Sequence, residues 1–181
     1  MRTDLVERAR SGDREAFAQL AAGEVDRLLA VARLILRDFD RADDAVQETL
    51  VRCWRQLPGL RDVERFDGWL YRILVNAAAT ESKRQRRFEA TVTSVDVEPA
   101  IDDVKRVVDR DELERGFRRL SIDHRAVVVL HHYIGLPLAE VALTLGIPSG
   151  TAKSRYHYAM SSLRAALEAE SRLAAGREVP A

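Results

Sequence analysis

Three groups of residues in this chain are suited to chemistry with a partner rather than to holding a core. The first is SGTAKSRYHYAMSSLR, residues 149–164, in which Lys153, Arg155 and Arg164 meet no acid, a net of +3. Gly150, Thr151, Lys153, Ser154, Arg155, His157 and Tyr158 offer close approach, hydrogen bonds and positive charge. Ala152, Tyr156, Ala159 and Leu163 recur at helical spacing as an inward face. A helix so divided suits a nucleic-acid groove, where base edges are read by donors and phosphates are held by cations. The bland alternative is a solvated helix of a small bundle.

The second group follows Phe66. Trp69 and Tyr71 are two apart, so on a helix they cannot both face one core and at least one ring lies near the surface. Asn76 and the run Lys83, Arg84, Arg86 and Arg87 come next; residues 72–87 carry five basic side chains, Arg72 included, against Glu81, a net of +4. Rings with cations beside them make a platform for unpaired bases, although Trp69 could equally be core. The third group is Asp44, Gln47 and Glu48, which three-and-four spacing places together opposite a buried stripe. It makes an acidic, hydrogen-bonding patch, or merely a wet helix face.

Catalysis and metal binding lack a comparable constellation. His131 and His132 are adjacent and are expected on different helix faces, while His124 and His157 have no evident partner. A lone Cys53 makes no internal disulfide, and no Cys/His set has zinc spacing. The expectations are therefore no enzyme activity, no metal, no cofactor and no small-molecule substrate. The start, MRTDLVERARSGD, lacks the apolar run of a signal peptide and no stretch is long enough to span a bilayer, so a cytoplasmic address without membrane insertion is expected.

The elements that must position these groups read as helices throughout. With 5 Pro and 9 Gly in 181 residues, intrinsic preference leans to an all-α fold. Thr3 can cap a helix to Arg10, and Asp13 one that begins REAF. Leu28, Leu29, Ala32, Ile35 and Leu36 form one stripe. Asp40 can cap the next helix, whose Ala42, Ala45, Val46, Thr49, Leu50, Cys53, Trp54 and Leu57 face inward until Pro58 and Gly59 stop it. After the loop LRDVER, a helix from Phe66 to Arg87 buries Phe66, Leu70, Ile73, Leu74 and Ala77. In the second half, helices are expected over 111–120, 123–134, 138–145 and from a Ser149 cap to about residue 167, with LGIPSG as a helix-turn-helix connection.

Net charge is zero, yet it conceals blocks: residues 88–112 carry eight acids against three bases, a net of −5. The expected plan is two small helical domains, 1–87 and 110–170, joined by a flexible acidic linker over 88–109, with a frayed tail over 171–181.

The strings DDAVQETLVRCWRQL, FDGWLYRILVNAA and GLPLAEVALTLGIPSGTAKSRYHYAMSSLR, in this order around an acidic linker, resemble the extracytoplasmic-function (ECF) group of bacterial sigma factors. The resemblance covers nearly the whole chain. It implies a factor that binds RNA polymerase core, directs it to promoters and helps melt the minus-ten element. The first domain would be sigma region 2 and the second sigma region 4, which reads the minus-thirty-five element. It implies that Asp44, Gln47 and Glu48 bind the polymerase clamp helices. It implies too that Asn76 holds a flipped non-template base, in a pocket to which the loop from Leu60 to Arg65, with Arg61 and Asp62, contributes. On the same implication Trp69, Arg72, Lys83, Arg84 and Arg87 complete the minus-ten surface. Lys153, Ser154 and Arg155 match the upstream reader, flanked by Ser149, Gly150, Thr151, His157 and Tyr158. An anti-sigma factor is the implied regulator. Tyr158 and Met160 stand where the family often has basic residues, and Thr80 where many relatives have Asp.

The rival reading is a conventional dimeric helix-turn-helix regulator with an N-terminal sensor or dimerisation domain. It leaves the Asp44, Gln47, Glu48 patch and the Asn76 region without a role, and it requires dimers on a palindromic site.

Overall fold

In the computed structural model residues 2–92 and 108–177 are described, and every regular element among them is helical. Helix α1 (Arg2–Arg10) already includes Thr3, which therefore sits inside the first turn and is not the cap. Asp13 does cap α2 (Arg14–Leu36): its Oδ1 accepts from the Ala16 N–H at 3.0 Å, and Arg8 pairs with its other oxygen at 2.6 Å. The Ala16 N–H and the Arg8 guanidinium together hold the Asp13 carboxyl below the usual range.

The reversal into α3 (Phe39–Gln56) turns on Arg37, which adopts left-handed backbone (φ 59°) and returns its N–H to the Arg33 carbonyl. Asp38 follows in extended backbone and accepts from the Arg41 N–H at 2.9 Å, so the cap is Asp38 and not Asp40, which lies in the first turn. Burial pushes the Asp38 carboxyl up, but the Arg41 N–H and guanidinium outweigh it and leave it below its ordinary value. Helix α3 stops at a short 3₁₀ turn, Leu57–Gly59, and a second such turn, Val63–Arg65, is capped by Asp62.

Helix α4 (Phe66–Val92) runs past its expected end at Arg87, because neither Gly nor Pro stands between Gly68 and Pro99 to break it. Helix α5 (Val108–Arg119) opens the second half. The expected linker is thus helical at both ends, and its remainder, 93–107, lies outside the described residues. Ser121 then caps α6 (Ile122–Val128), and a π-turn, Val129–Tyr133, continues it to Gly135. Helix α7 (Leu138–Leu145) ends on Gly146, whose φ of 66° suits a residue without a Cβ, and the Ile147 N–H closes on the Ala142 carbonyl. Helix α8 (Ser149–Arg177) accepts its first bond, from Ala152, on the Pro148 carbonyl; Ser149 is its first helical residue rather than its cap. The expected tail is helical as far as Arg177.

The anticipated stripes are the core. Leu28, Ala32, Ile35, Ala42, Thr49, Leu57, Leu70, Leu74 and Ala77 are all buried, and the Thr49 hydroxyl is satisfied by the Ala45 carbonyl at 2.6 Å. What the periodicity does not show is that the two halves share this core. Ile122, Ala126, Val127, Val129, Leu130 and Val141 belong to the same apolar cluster as the residues of α1 to α4. At the seam, a Cβ on Gly68 of α4 would stand 3.1 Å from the Thr144 hydroxyl of α7, and one on Gly146 would stand 2.9 Å from the Arg72 guanidinium. Val75 shares the stripe of Gly68 and Arg72 and is buried. Arg37 pairs with Glu114 across the same seam, and Arg125 lies beside Arg37 and Arg41 with its Nε buried and unpaired among the described residues. Desolvation, with those two cations, brings Arg125 down to about 10.

Candidate nucleic-acid interface

On α8 the inward set is as expected: Ala152, Ala159 and Leu163 are buried and Tyr156 packs against the core. Ser149, Gly150, Lys153, Ser154, His157 and Tyr158 are exposed, with Thr151 and Arg155 half-buried, so the candidate readers occupy one outward surface. The Ser154 hydroxyl donates to the Thr151 carbonyl at 3.0 Å. Arg155 donates from Nη2 to Asp123 Oδ2 at 2.9 Å, and the Tyr158 ring, 59% exposed, lies 4.5 Å from the His124 ring.

On α4 Trp69, Arg72, Asn76, Thr80, Lys83 and Arg87 follow at steps of three or four, which aligns these residues along one face. Trp69 is half-buried, 6.0 Å from the Phe66 ring, and the others on this face are exposed; Tyr71, by contrast, is 2% exposed. One ring of the pair thus goes inward and one stays at the surface. The Thr80 hydroxyl is occupied by the Asn76 carbonyl at 2.9 Å. Arg84 sits at the edge of the face, 3.6 Å from Glu81, and exposed Arg61 and Asp62 lie in the loop before α4. On α3, Asp44, Gln47 and Glu48 are exposed opposite Ala42, Ala45, Val46 and Thr49, and Glu48 pairs with Arg52 at 2.6 Å.

Two family models account for the two halves: sigma-70 region 2 matches residues 20–88, and sigma-70 region 4 matches residues 116–165. The chain is 36% identical to the ECF RNA polymerase sigma factor SigL of Mycobacterium tuberculosis over 168 residues, covering 87% of this chain and 94% of that protein. It is 34% identical to SigM of the same organism over 145 residues, covering 80% and 74%. The chain belongs to the ECF sigma factors. Among solved structures, CnrH in complex with the cytosolic domain of CnrY aligns at a TM-score of 0.65 with 29% identity, covering 92% of this chain and 97% of that one. The sigma factor RpoE of Bartonella quintana, in complex with the anti-sigma factor NepR, aligns at 0.67 with 26% identity, covering 84% and 96%.

An ECF sigma factor is a transcription initiation factor that binds polymerase core and promoter DNA, and the rival dimeric regulator is set aside. In this sigma factor several features escaped the sequence. The π-turn widens the helix so that His131 and His132 do not diverge: both rings face Tyr156, at 5.1 and 5.6 Å. His131 Nδ1 donates to the Leu136 carbonyl at 2.7 Å. His124, far from partnerless, is held by Ser121 Oγ at 2.6 Å and stacked on Tyr158. An apolar groove formed by Phe17, Leu50, Val51 and Trp54, rimmed by Arg14 and Arg55, continues along α3 from Gln47 and Glu48. The serine three residues before His124 carries a local signal, that of a helix cap; the His131 bond to Leu136 is local but unmarked in the sequence, and the ring contacts with α8 are tertiary. Among the described residues no helix is long and apolar enough to cross a membrane, and no cluster of His, Cys, Asp or Glu is placed to hold a metal.

Proposed function

We propose that the half ending with α4 engages the polymerase and opens the minus-ten element, and that the half from α5 onward reads the minus-thirty-five element. The observation that carries this is the single face of α4, where a half-exposed indole, an amide and a line of cations follow one another beside the loop of Arg61 and Asp62. Opening a duplex costs stacking and pairing energy, which a protein lowers by capturing extruded bases on rings and in pockets. In this reading Trp69 and Asn76 receive unpaired bases, while Arg72, Lys83, Arg84 and Arg87 hold the phosphates that follow. Asp44, Gln47 and Glu48 dock on the polymerase, with exposed Val51 as an apolar extension of that patch.

The bond making is left to the polymerase, and the chain itself is no enzyme. It works in the cytoplasm, and an anti-sigma factor of the kind bound to the similar RpoE restrains it. The test is run-off transcription with core polymerase on a promoter this chain selects, combined with permanganate footprinting. Asn76→Ala should reduce thymine reactivity within the minus-ten element about tenfold while leaving initial promoter binding within about twofold. Equal losses in binding and opening would overturn the role given to Asn76.

A further inference from the structure

The outward side chains of α8 do not stand alone. Arg155 and Tyr158 are three apart, hence neighbours on the helix surface, and each is braced by the first turn of α6, which lies outside the helix-turn-helix. Asp123 Oδ2 accepts from Arg155 Nη2 at 2.9 Å, and the His124 ring lies 4.5 Å from the Tyr158 ring at 32°. His124 is itself fixed, because Ser121 Oγ accepts its backbone N–H at 3.3 Å and lies 2.6 Å from its Nδ1. With its oxygen accepting the N–H, the Ser121 hydroxyl still has a proton to donate to Nδ1 of a neutral ring. Burial and the nearby Arg155 cation both hold His124 below its ordinary value, in keeping with that state.

We infer that Ser121, Asp123 and His124 form a selectivity brace: Asp123 and His124 are positioning residues that aim Arg155 and Tyr158 at base edges of the upstream element. The inference rests on the reading that α8 enters the DNA groove. A guanidinium is a planar fork of five N–H donors. Asp123 holds one arm of it and leaves the rest to meet paired acceptors such as the N7 and O6 of guanine. The carboxylate also acts on what Arg155 does not bind. It cancels the local cation and repels phosphate, so loose docking on the backbone is penalised while base contact, made beyond the carboxylate, is kept.

Tyr158 is the complementary case. A ring backed by a second ring has few orientations to lose on binding, and its edge and hydroxyl suit a thymine methyl with an adjacent acceptor. The two braced side chains thus provide one donor fork and one apolar edge, three residues apart. They select neighbouring base pairs of different type.

The experiment uses the full chain with core polymerase on a promoter pool randomised across the upstream element with the minus-ten element held constant. Base preferences are read by sequencing the transcripts. Asp123→Asn should lower the preference at one upstream position about fivefold to tenfold while raising binding to scrambled upstream elements and steepening its salt dependence. His124→Ala should lower the preference at a neighbouring position by a similar factor, and His124→Phe, which keeps the ring, should restore it. A structural role alone would lower the melting temperature and reduce all positions together. Arg155→Ala separates the two layers of the argument. If it leaves every upstream preference unchanged, α8 is not the reader and the brace falls with it. If it erases a preference that Asp123→Asn and His124→Ala leave intact, the brace alone is overturned.

Discussion

Tyr71 is where residue-scale physics makes its sharpest statement. The ring is 2% exposed, Arg27 lies 5.3 Å above it, and its hydroxyl is buried without a hydrogen-bond partner among the described residues. Burial is the first cause of its upward shift to about 12, so the group stays neutral. An unsatisfied buried hydroxyl costs free energy that a methine does not. Tyr71→Phe is therefore expected to be neutral or stabilising by up to about 1 kcal/mol in urea unfolding; a loss of stability would mean the hydroxyl has a partner. Cys53 behaves in the same manner. It is 2% exposed and burial pushes its thiol up to about 12, well above the range of a free cysteine. Its folded value is raised, so its contribution to stability is complete below the unfolded pKa and is lost as pH rises towards 12. At pH 8 iodoacetamide should label Cys53 only after denaturant is added, and rapid labelling of the native chain would contradict its placement.

At the scale of elements, caps and stripes decide where helices begin and which way they face. Asp38→Ala removes the side-chain oxygen that accepts the Arg41 N–H, and should cost about 1 kcal/mol. Asp40→Ala, lacking that bond, should cost well under half as much, and equal losses would show that the cap is shared. This pair also shows how far the sequence could be read. The apolar positions of α3 were legible because burial imposes a period, whereas DFDRADD offers several carboxylates and the left-handed turn at Arg37 picks one of them. Helix α7 was legible at both ends because Pro137 precedes it and Gly146 follows it. The π-turn was not, since an extra residue in a helical turn leaves no mark on composition. The stripe on α4 could be read as a surface, but its end could not: charged residues such as those of RQRRFEA form helix and linker alike. The roles of Asp123 and His124 were not legible because Arg155 and Tyr158 lie on α8, more than 30 residues away.

For the whole molecule, the decisive fact is that the two halves proposed to face DNA touch. Arg72, on the α4 face proposed to meet the minus-ten element, lies against Gly146 in the turn of the helix-turn-helix, and one apolar cluster runs through both halves. Packed helices stand about 10 Å apart, yet the two promoter elements lie about 25 base pairs apart, roughly 85 Å along the duplex. The closed chain therefore cannot occupy both elements at once. On the proposed assignment of the halves, promoter recognition requires the seam to come apart. The seam carries a local cost, since it leaves Arg125 partly desolvated beside Arg37 and Arg41 with its Nε unpaired among the described residues. A polymerase that binds both halves at promoter spacing would shift the population by its preference for the open form. A covalent lock tests this directly. A Cβ on Gly68 would lie 3.1 Å from Thr144 Oγ1, within reach of a disulfide, and buried Cys53 is poorly placed to compete. Oxidised Gly68→Cys, Thr144→Cys protein, with the bond verified by mass spectrometry, should yield no promoter-dependent transcript with core polymerase, and reductant should restore it. Full activity of the locked chain would show that the closed arrangement is compatible with initiation, and the distance argument would then be wrong.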